Sequence, residues 1–171
     1  MRRRTRTLIF LLAAVVLLGA AVLAEIRHEQ AMAIDPLTTI DTRSVRRLAV
    51  ACAACKPRRF EKVDGHWQMR EPYARPASDA AVGRLLAIAH APVRFRHAPG
   101  ELEAGKIGLD PPQATLTLDA TTLKFGTTDA IHGDRYVQVG ASIALVPDRF
   151  SALLFAAPEN ELAGAGTAGI R

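Results

Sequence analysis

Two cysteines, Cys52 and Cys55, form the only CxxC pair in the chain and its most reactive element. Such a pair can form a disulfide in an oxidising compartment, or bind metal or carry redox chemistry in a reducing one. Thioredoxin-type chemistry needs the first cysteine at a helix N-terminus, where the helix dipole lowers the thiol pKa. Here Pro57, Arg58 and Arg59 lead into a strand-like segment and not a helix. We therefore expect the cysteines to flank a turn, reduced or joined as a possible disulfide, without catalysis.

The other polar residues suggest no catalytic constellation. The candidates are scattered histidines and aspartates, namely His66, His90, His97, His132, Asp110, Asp129 and Asp134. No two of the histidines have metal-ligand spacing, and a zinc site would need four ligands. A nucleophile elbow, a phosphate-binding loop and an HExxH motif are all absent. We expect no catalytic residue, no metal site and no cofactor, with a thiol-based redox or other envelope enzyme using Cys52 and Cys55 as the alternative.

The first 24 residues determine the compartment in which the rest of the chain lies. Four arginines, at positions 2, 3, 4 and 6, precede an uninterrupted apolar run from Leu8 to Ala24. That run is close to the roughly 20 residues that a helix needs to cross a bilayer. The positive-inside rule keeps the arginine-rich end in the cytoplasm. We expect residues 1–24 to be a single-pass anchor in the lipid of a bacterial inner membrane, with the main domain in the periplasm.

A cleaved signal peptide is the competing interpretation of the same residues. Val22 and Ala24 suit the −3 and −1 positions of a cleavage site, and residues 31–33 offer a second one. The apolar run is longer than the roughly 7–15 residues of a signal sequence, which favours the anchor. Both interpretations export the domain.

The basic isoelectric point, about 9.8, has its origin in the N-terminal segment. Four of the 22 basic residues and none of the 17 acidic residues precede Leu8. The rest of the chain therefore has 18 basic and 17 acidic residues. This near-neutral balance excludes a nucleic-acid partner. A local excess of basic residues remains between Arg43 and Lys62. It is either a solvated strand face or a contact for anionic lipid headgroups or an acidic partner.

The exported part has the pattern of an α+β domain. Asp64 and Gly65 separate two strand-like runs and predict a β-hairpin. Ser78 or Asp79 caps a helix that carries apolar residues at helical spacing as far as His90. Further alternating runs predict hairpins over 114–125 and 135–146, the first ended by Gly126, and a short closing helix begins near residue 148. The fold class is therefore a small antiparallel sheet with one main helix packed on it.

The expected domain organisation follows from these elements. Residues 1–24 form the anchor and residues 25–36 a juxtamembrane stalk. Residues 37–156 form one α+β domain, a length that suits a single core. Residues 157–171 are rich in Gly and Ala and are expected to form a flexible C-terminal tail.

Several short motifs occur in an order that resembles a bacterial family of domains of unknown function. The motif residues are Gly65, Trp67, Pro76, Asp79, Gly108, Leu109, Asp110, Pro112, Gly126 and Tyr136. The resemblance covers residues 37–156 and does not include the cysteines. It implies a single membrane segment and, for some members, genes beside auxiliary proteins of gliding-motility-type ABC transporters. The matched residues have structural interpretations, since glycines permit turns, prolines fix connections, Asp79 caps a helix, and Trp67 and Tyr136 fill space.

These observations favour a membrane-anchored periplasmic interaction or accessory domain. Its expected partner is a protein of an envelope transport or assembly system, in addition to inner-membrane lipid. A small-ligand-binding module that uses Trp67 or Tyr136 is a further alternative, although a lone aromatic residue is more often part of a core.

Overall fold

The computed structural model describes residues 35–164 as one nine-stranded antiparallel sheet with few helices. The strands are β1 (Arg47–Cys52), β2 (Arg58–Val63), β3 (His66–Glu71), β4 (Arg75–Pro76), β5 (Phe95–His97), β6 (Ala114–Leu118), β7 (Thr121–Thr128), β8 (Asp134–Val139) and β9 (Ser142–Pro147). Their order across the sheet is β4-β3-β2-β1-β6-β7-β8-β9-β5. The predicted antiparallel sheet is confirmed, but it is larger than expected because all the hairpins join edge to edge.

The helices are short. Helix α1 (Asp79–Ala87) continues as a 3-10 turn over Ile88–His90, and helix α2 (Ser151–Leu154) precedes a second 3-10 turn over Pro158–Glu161. Ser78 is the N-cap of α1, because its side-chain oxygen accepts the backbone N–H of Ala81 at 3.3 Å. The alternative cap, Asp79, is the first helical residue and makes the contacts described below.

The main core lies between α1 and one face of the sheet. Strand residues alternate between the two faces, so every second side chain of a strand points into this core. The sheet contributes Leu48, Val50, Phe60, Trp67, Met69, Leu116, Leu123, Phe125 and Val137, and α1 contributes Val82, Leu85 and Leu86. Trp67 is only 4% exposed, so it is a core residue. Its surroundings weigh against the ligand-stacking role considered from the sequence.

The opposite face of the sheet is open over β1, β2, β6 and β7. Ala49 pairs with Arg59 on one side and with Thr117 on the other, and Thr117 pairs with Thr122. Arg59 and Thr122 are exposed, while Ala49 and Thr117 are half-buried. The two faces therefore differ, one packed by the helix and one polar and accessible.

All three predicted hairpins use residues in the left-handed conformation at their turns, and in the β8–β9 hairpin this residue is Gly140, with a φ of 58°. Asp64 and Gly65 have φ angles of 50° and 87° between β2 and β3, and Asp119 has a φ of 49° between β6 and β7. Glycine, aspartate and asparagine tolerate this region best. The turn chemistry thus specifies these three hairpins, as the sequence predicts.

The boundaries of the domain differ from those expected at both ends. The sequence predicts that Asp35 and Pro36 belong to a stalk. In the structure the Asp35 carbonyl accepts the Val93 N–H at 2.9 Å and Pro36 bridges Pro92. At the other end, Leu162 is in the core and pairs with Ala77. The predicted flexible tail from residue 157 is therefore wrong as far as residue 164, because burial of Leu162 fixes this segment.

The predicted membrane anchor, residues 1–24, lies outside the described residues, as do residues 25–34 of the stalk and residues 165–171 of the tail. Within residues 35–164, no helix combines the length and the apolar character that crossing a bilayer requires.

Candidate functional site

The cysteine pair lies at the end of β1, in the turn that leads to β2. Cys52 and Cys55 form a disulfide across Cα atoms 5.4 Å apart, and both residues are half-buried. Strand β2 follows the turn, so no helix N-terminus supports Cys52. A shallow depression beside Cys55 is lined by Lys56, Phe155 and Glu159. The site thus lacks the helix dipole that thioredoxin-type chemistry uses to lower a thiol pKa.

Arg58 is buried, in contrast to the solvated strand face that the sequence predicts for the basic run. It belongs to the basic run between Arg43 and Lys62, yet its side chain is 0% exposed. The guanidinium pairs with the Glu161 carboxylate and donates to the carbonyl of Leu153 at 3.1 Å and to that of Leu154. Phe60, two residues on, is a core residue, so strand alternation could have identified Arg58 as inward-facing.

Burial dominates the electrostatics of this pair. It raises the pKa of Glu161 to about 7, although the charges of Arg58 and Arg84 act in the opposite direction. Burial also lowers the pKa of Arg58. One carboxylate oxygen of Glu161, Oε2, has no hydrogen-bond partner in the described part of the chain. The pair holds the C-terminal segment on β2 rather than forming an accessible site.

The rest of the basic run does not form one surface. Lys56 lies in the cysteine turn at one end of β1, whereas Arg46 lies at the other end, where its N–H donates to Asp119. Lys62 lies 5.8 Å from the centre of the Trp67 ring. Arg47 and Arg59 of this run lie on the open face.

A depression of about 360 Å³ lies on the open face, with Ala49 and Thr117 among its lining residues. Three exposed arginines surround it, and each has a carboxylate neighbour. The nitrogen–oxygen distances are 3.9 Å for Arg47–Asp119, 3.3 Å for Arg59–Glu71 and 2.9 Å for Arg70–Glu61. Guanidinium groups present several donors in a planar fork that suits carboxylates. Exposed ion pairs of this kind contribute little to stability, so these arginines can exchange their carboxylate neighbours for other carboxylates at little cost.

Several motif residues connect β3 to the start of α1. The Asp79 carboxylate accepts the backbone N–H of Trp67 at 2.8 Å and contacts the imidazole of His66 at 2.8 Å. These hydrogen bonds hold the pKa of Asp79 below its ordinary value, and the one from the Trp67 N–H has the largest effect. Pro76 belongs to β4, and the next residue, Ala77, donates its N–H to the Trp67 carbonyl. This part of the motif orders the helix on the sheet.

A second group of motif residues holds a loop against β7. Gly108 has a φ of 68°, and Leu109 is buried and bridges Pro112, while Asp110 is exposed. Gly126 was expected to end the hairpin but lies within β7, where a Cβ atom would come 2.2 Å from the Ile107 carbonyl oxygen. Gly126 therefore serves close backbone approach rather than a turn.

Tyr136 belongs to β8 and lies on the side of the sheet opposite α1, where β9 separates it from β5. It is half-buried, with its ring centre 6.3 Å from that of His97, which is 4.8 Å from that of Phe95. Each imidazole nitrogen of His97 lacks a hydrogen bond of good geometry, although Nδ1 is 3.2 Å from the Glu101 carboxylate. This contact is weak, and the Glu101 carboxylate accepts a hydrogen bond of better geometry from the N–H of Ala98 at 2.9 Å.

Asp129 and His132 lie in the loop between β7 and β8, and Asp134 follows as the first residue of β8. The Asp129 carboxylate accepts backbone N–H groups from Ile131, His132 and Asp134, which holds its pKa below the ordinary value. Asp134 is buried and pairs with Arg94. These carboxylates are used to shape the loop. In residues 35–164 no three His, Cys, Asp or Glu side chains form a group that could hold a metal ion.

Comparisons of this chain with protein-family models, curated proteins and solved structures give no match. The family resemblance therefore stays a prediction from the motif order, and any functional assignment rests on the residues themselves.

Proposed function

We propose that this chain is a membrane-anchored periplasmic interaction domain that binds a protein partner through the open face of its sheet. The observation that carries the proposal is the difference between the two faces. One is packed by α1, and the other presents the depression lined by Ala49 and Thr117 and surrounded by Arg47, Arg59 and Arg70. A floor of small side chains with arginines at its margin suits a partner that has carboxylates on a flat or extended surface.

The membrane part of the proposal is supported by the sequence. The arginines before Leu8 and the apolar run that ends at Ala24 are typical of an N-terminal inner-membrane anchor with an exported domain. The Cys52–Cys55 disulfide is consistent with an oxidising compartment. The family resemblance adds an envelope transport or assembly system as the setting of the partner.

Site-specific photocrosslinking in the producing cells tests the open face. A photoreactive phenylalanine analogue at Thr117 is expected to give a discrete crosslinked product with an envelope protein. The control is the same analogue at Gly83, which is exposed on α1, where an added Cβ atom would meet open space. Equal products from both positions, or none from Thr117, would contradict the proposal.

Charge reversal tests the chemistry of recognition. Arg59→Glu should weaken the Thr117 crosslink, because it places a carboxylate where the partner's carboxylate would bind. Glu103→Lys is the control, since Glu103 is exposed and pairs only with Lys106 within residues 35–164.

The Cys52→Ser, Cys55→Ser double variant distinguishes the enzyme alternative from the binding function. Retention of the crosslink with loss of cellular function at unchanged protein level would favour thiol chemistry over binding.

A further inference from the structure

Two of the large apolar side chains that the domain exposes belong to one corner of the sheet. Ile131 is 84% exposed in the loop between β7 and β8, and Phe95 is 52% exposed at the start of β5. Arg94 connects the segments of these two residues. It precedes Phe95 and forms an ion pair with Asp134, the residue that follows the loop of Ile131 and begins β8. The strand register agrees, since Asp134 pairs with Pro147 and Phe95 pairs with Leu145 on the same strand.

The chain also enters the domain at this corner. Asp35 is the first described residue, and its carboxylate lies 2.5 Å from Nε of Arg96, one residue beyond Phe95. The Asp35 carbonyl accepts the Val93 N–H, and the neighbouring Pro36 bridges Pro92. The corner that exposes Phe95 and Ile131 is therefore the part of the domain attached to the N-terminal segment.

We propose that this corner, formed by Phe95, Ile131, Arg94 and Arg149, rests on the lipid bilayer interface. The inference rests on the proposed function, because it takes residues 1–24 as the anchor. Ten residues separate Ala24 from Asp35. A fully extended chain of that length spans about 35 Å, which sets an upper limit on the distance from the bilayer to Asp35.

Side-chain chemistry at the corner suits that interface. Apolar side chains insert at the boundary between headgroups and acyl chains, while neighbouring arginines keep their charge among the headgroups. Arg149 belongs to this corner, because its N–H donates to the carbonyl of Pro147, the register partner of Asp134. It is exposed, and within residues 35–164 it makes no ion pair. The short tether supplies an effective concentration in the millimolar range, so a weak interaction is enough to dock the domain. The other exposed apolar residues lie elsewhere, Val63 at the β2–β3 hairpin and Phe155 beside the cysteine turn.

The test uses the full chain in phosphatidylcholine vesicles that contain brominated lipid, a quencher of tryptophan emission. In the Ile131→Trp variant, the new tryptophan should lose much of its emission to the brominated lipid and shift to shorter wavelength. The matched control is Ala120→Trp, in the exposed β6–β7 turn at the other end of β7. Its emission should be unaffected. The native Trp67 is buried, so it supplies the same background in both variants.

The outcomes separate this inference from the proposed anchor. Flotation of the chain with the vesicles and quenching at position 131 but not at 120 supports both. Flotation with no quenching at 131, or with equal quenching at the two positions, overturns the docking of this corner and leaves the anchor intact. A chain that does not float with the vesicles overturns both. The emission of Trp67 in the parent chain and in Ile131→Asp is the control for misfolding. If the two emissions agree, replacement of Ile131 leaves the fold intact, and misfolding does not explain the result at position 131.

Discussion

Arg58 and Glu161 are separated by 103 positions in the chain, yet they form a buried ion pair between β2 and the C-terminal 3-10 turn. The same guanidinium donates to the carbonyls of Leu153 and Leu154 at the end of α2. One side chain thus connects the central sheet to two consecutive C-terminal elements. Its loss should affect the stability of the whole domain.

Arg58→Met should lower the free energy of unfolding by about 3–5 kcal/mol, because it leaves Glu161 and two carbonyls buried without their donor. Arg59→Met is the matched control, since the Arg59 side chain is 65% exposed. A surface ion pair of this kind contributes about 1 kcal/mol or less. Urea unfolding of the full chain in detergent, followed by Trp67 emission, measures both. Equal losses for the two variants would contradict a special role for Arg58.

Replacing both partners tests whether the charge itself is needed. Well-packed apolar side chains often substitute for a buried ion pair with little loss of stability. The Arg58→Met, Glu161→Leu double variant should therefore recover most of the stability lost in Arg58→Met. A double variant as unstable as the single one would show that the carbonyl contacts at Leu153 and Leu154, not the charge pair, dominate.

Stability should fall as pH rises from about 4.5 to 7, because of Glu161. Burial raises its pKa to about 7 in the folded domain from an ordinary value of 4.5. Over this pH interval the folded state keeps a proton that the unfolded chain has released. The contribution of this proton to stability is therefore complete below the unfolded pKa of 4.5 and is lost above the folded pKa of about 7. The loss is on the order of 3 kcal/mol.

Glu161→Gln isolates the effect of this one carboxyl on the pH dependence of stability. The amide retains an acceptor for Arg58 and does not ionise, so the variant should show a flatter profile between pH 5 and 8. Carboxyls with depressed pKa values, such as Asp79 and Asp148, act at lower pH and with the opposite sign. Parallel profiles for the wild type and Glu161→Gln would show that Glu161 does not titrate in this interval.

The sequence identifies the hairpins and α1 because their signals are local. Asp64 and Gly65 specify a turn, and Ser78 followed by apolar residues at helical spacing specifies a helix start. The sheet order and the Arg58–Glu161 pair depend on contacts between distant residues, which no local pattern contains. The tail prediction failed for the same reason. A Gly- and Ala-rich composition suggests disorder, whereas docking of Leu162 and Glu161 is a tertiary effect.

Gly126→Ala should destabilise the domain by about 1–3 kcal/mol, because the added methyl group would meet the Ile107 carbonyl oxygen at 2.2 Å. That carbonyl also accepts the N–H of Thr127 at 2.8 Å, so it cannot move away without loss of a hydrogen bond. Gly83→Ala provides a control of opposite sign. Gly83 lies within α1 with open space around it, and alanine there should stabilise the domain by about 0.5–1 kcal/mol. Thermal unfolding of the three chains would give the order of stability, and a destabilised Gly83→Ala would contradict the helix geometry.

Loss of the Cys52–Cys55 disulfide should leave the fold intact. The bridge closes a loop of only four residues, so its chain-entropy contribution is about 2 kcal/mol. The turn has other support, since Cys52 pairs with Ala114 in the sheet and Ala53 donates its N–H to the Gln113 carbonyl. The Cys52→Ser, Cys55→Ser variant should therefore unfold cooperatively at somewhat lower urea concentration. Alkylation of the wild-type protein, taken from cells with and without reductant, should modify both cysteines only after reduction. Full modification without reductant would show that the cysteines are thiols in the cell, and the oxidising compartment assumed in the proposed function would lose that support.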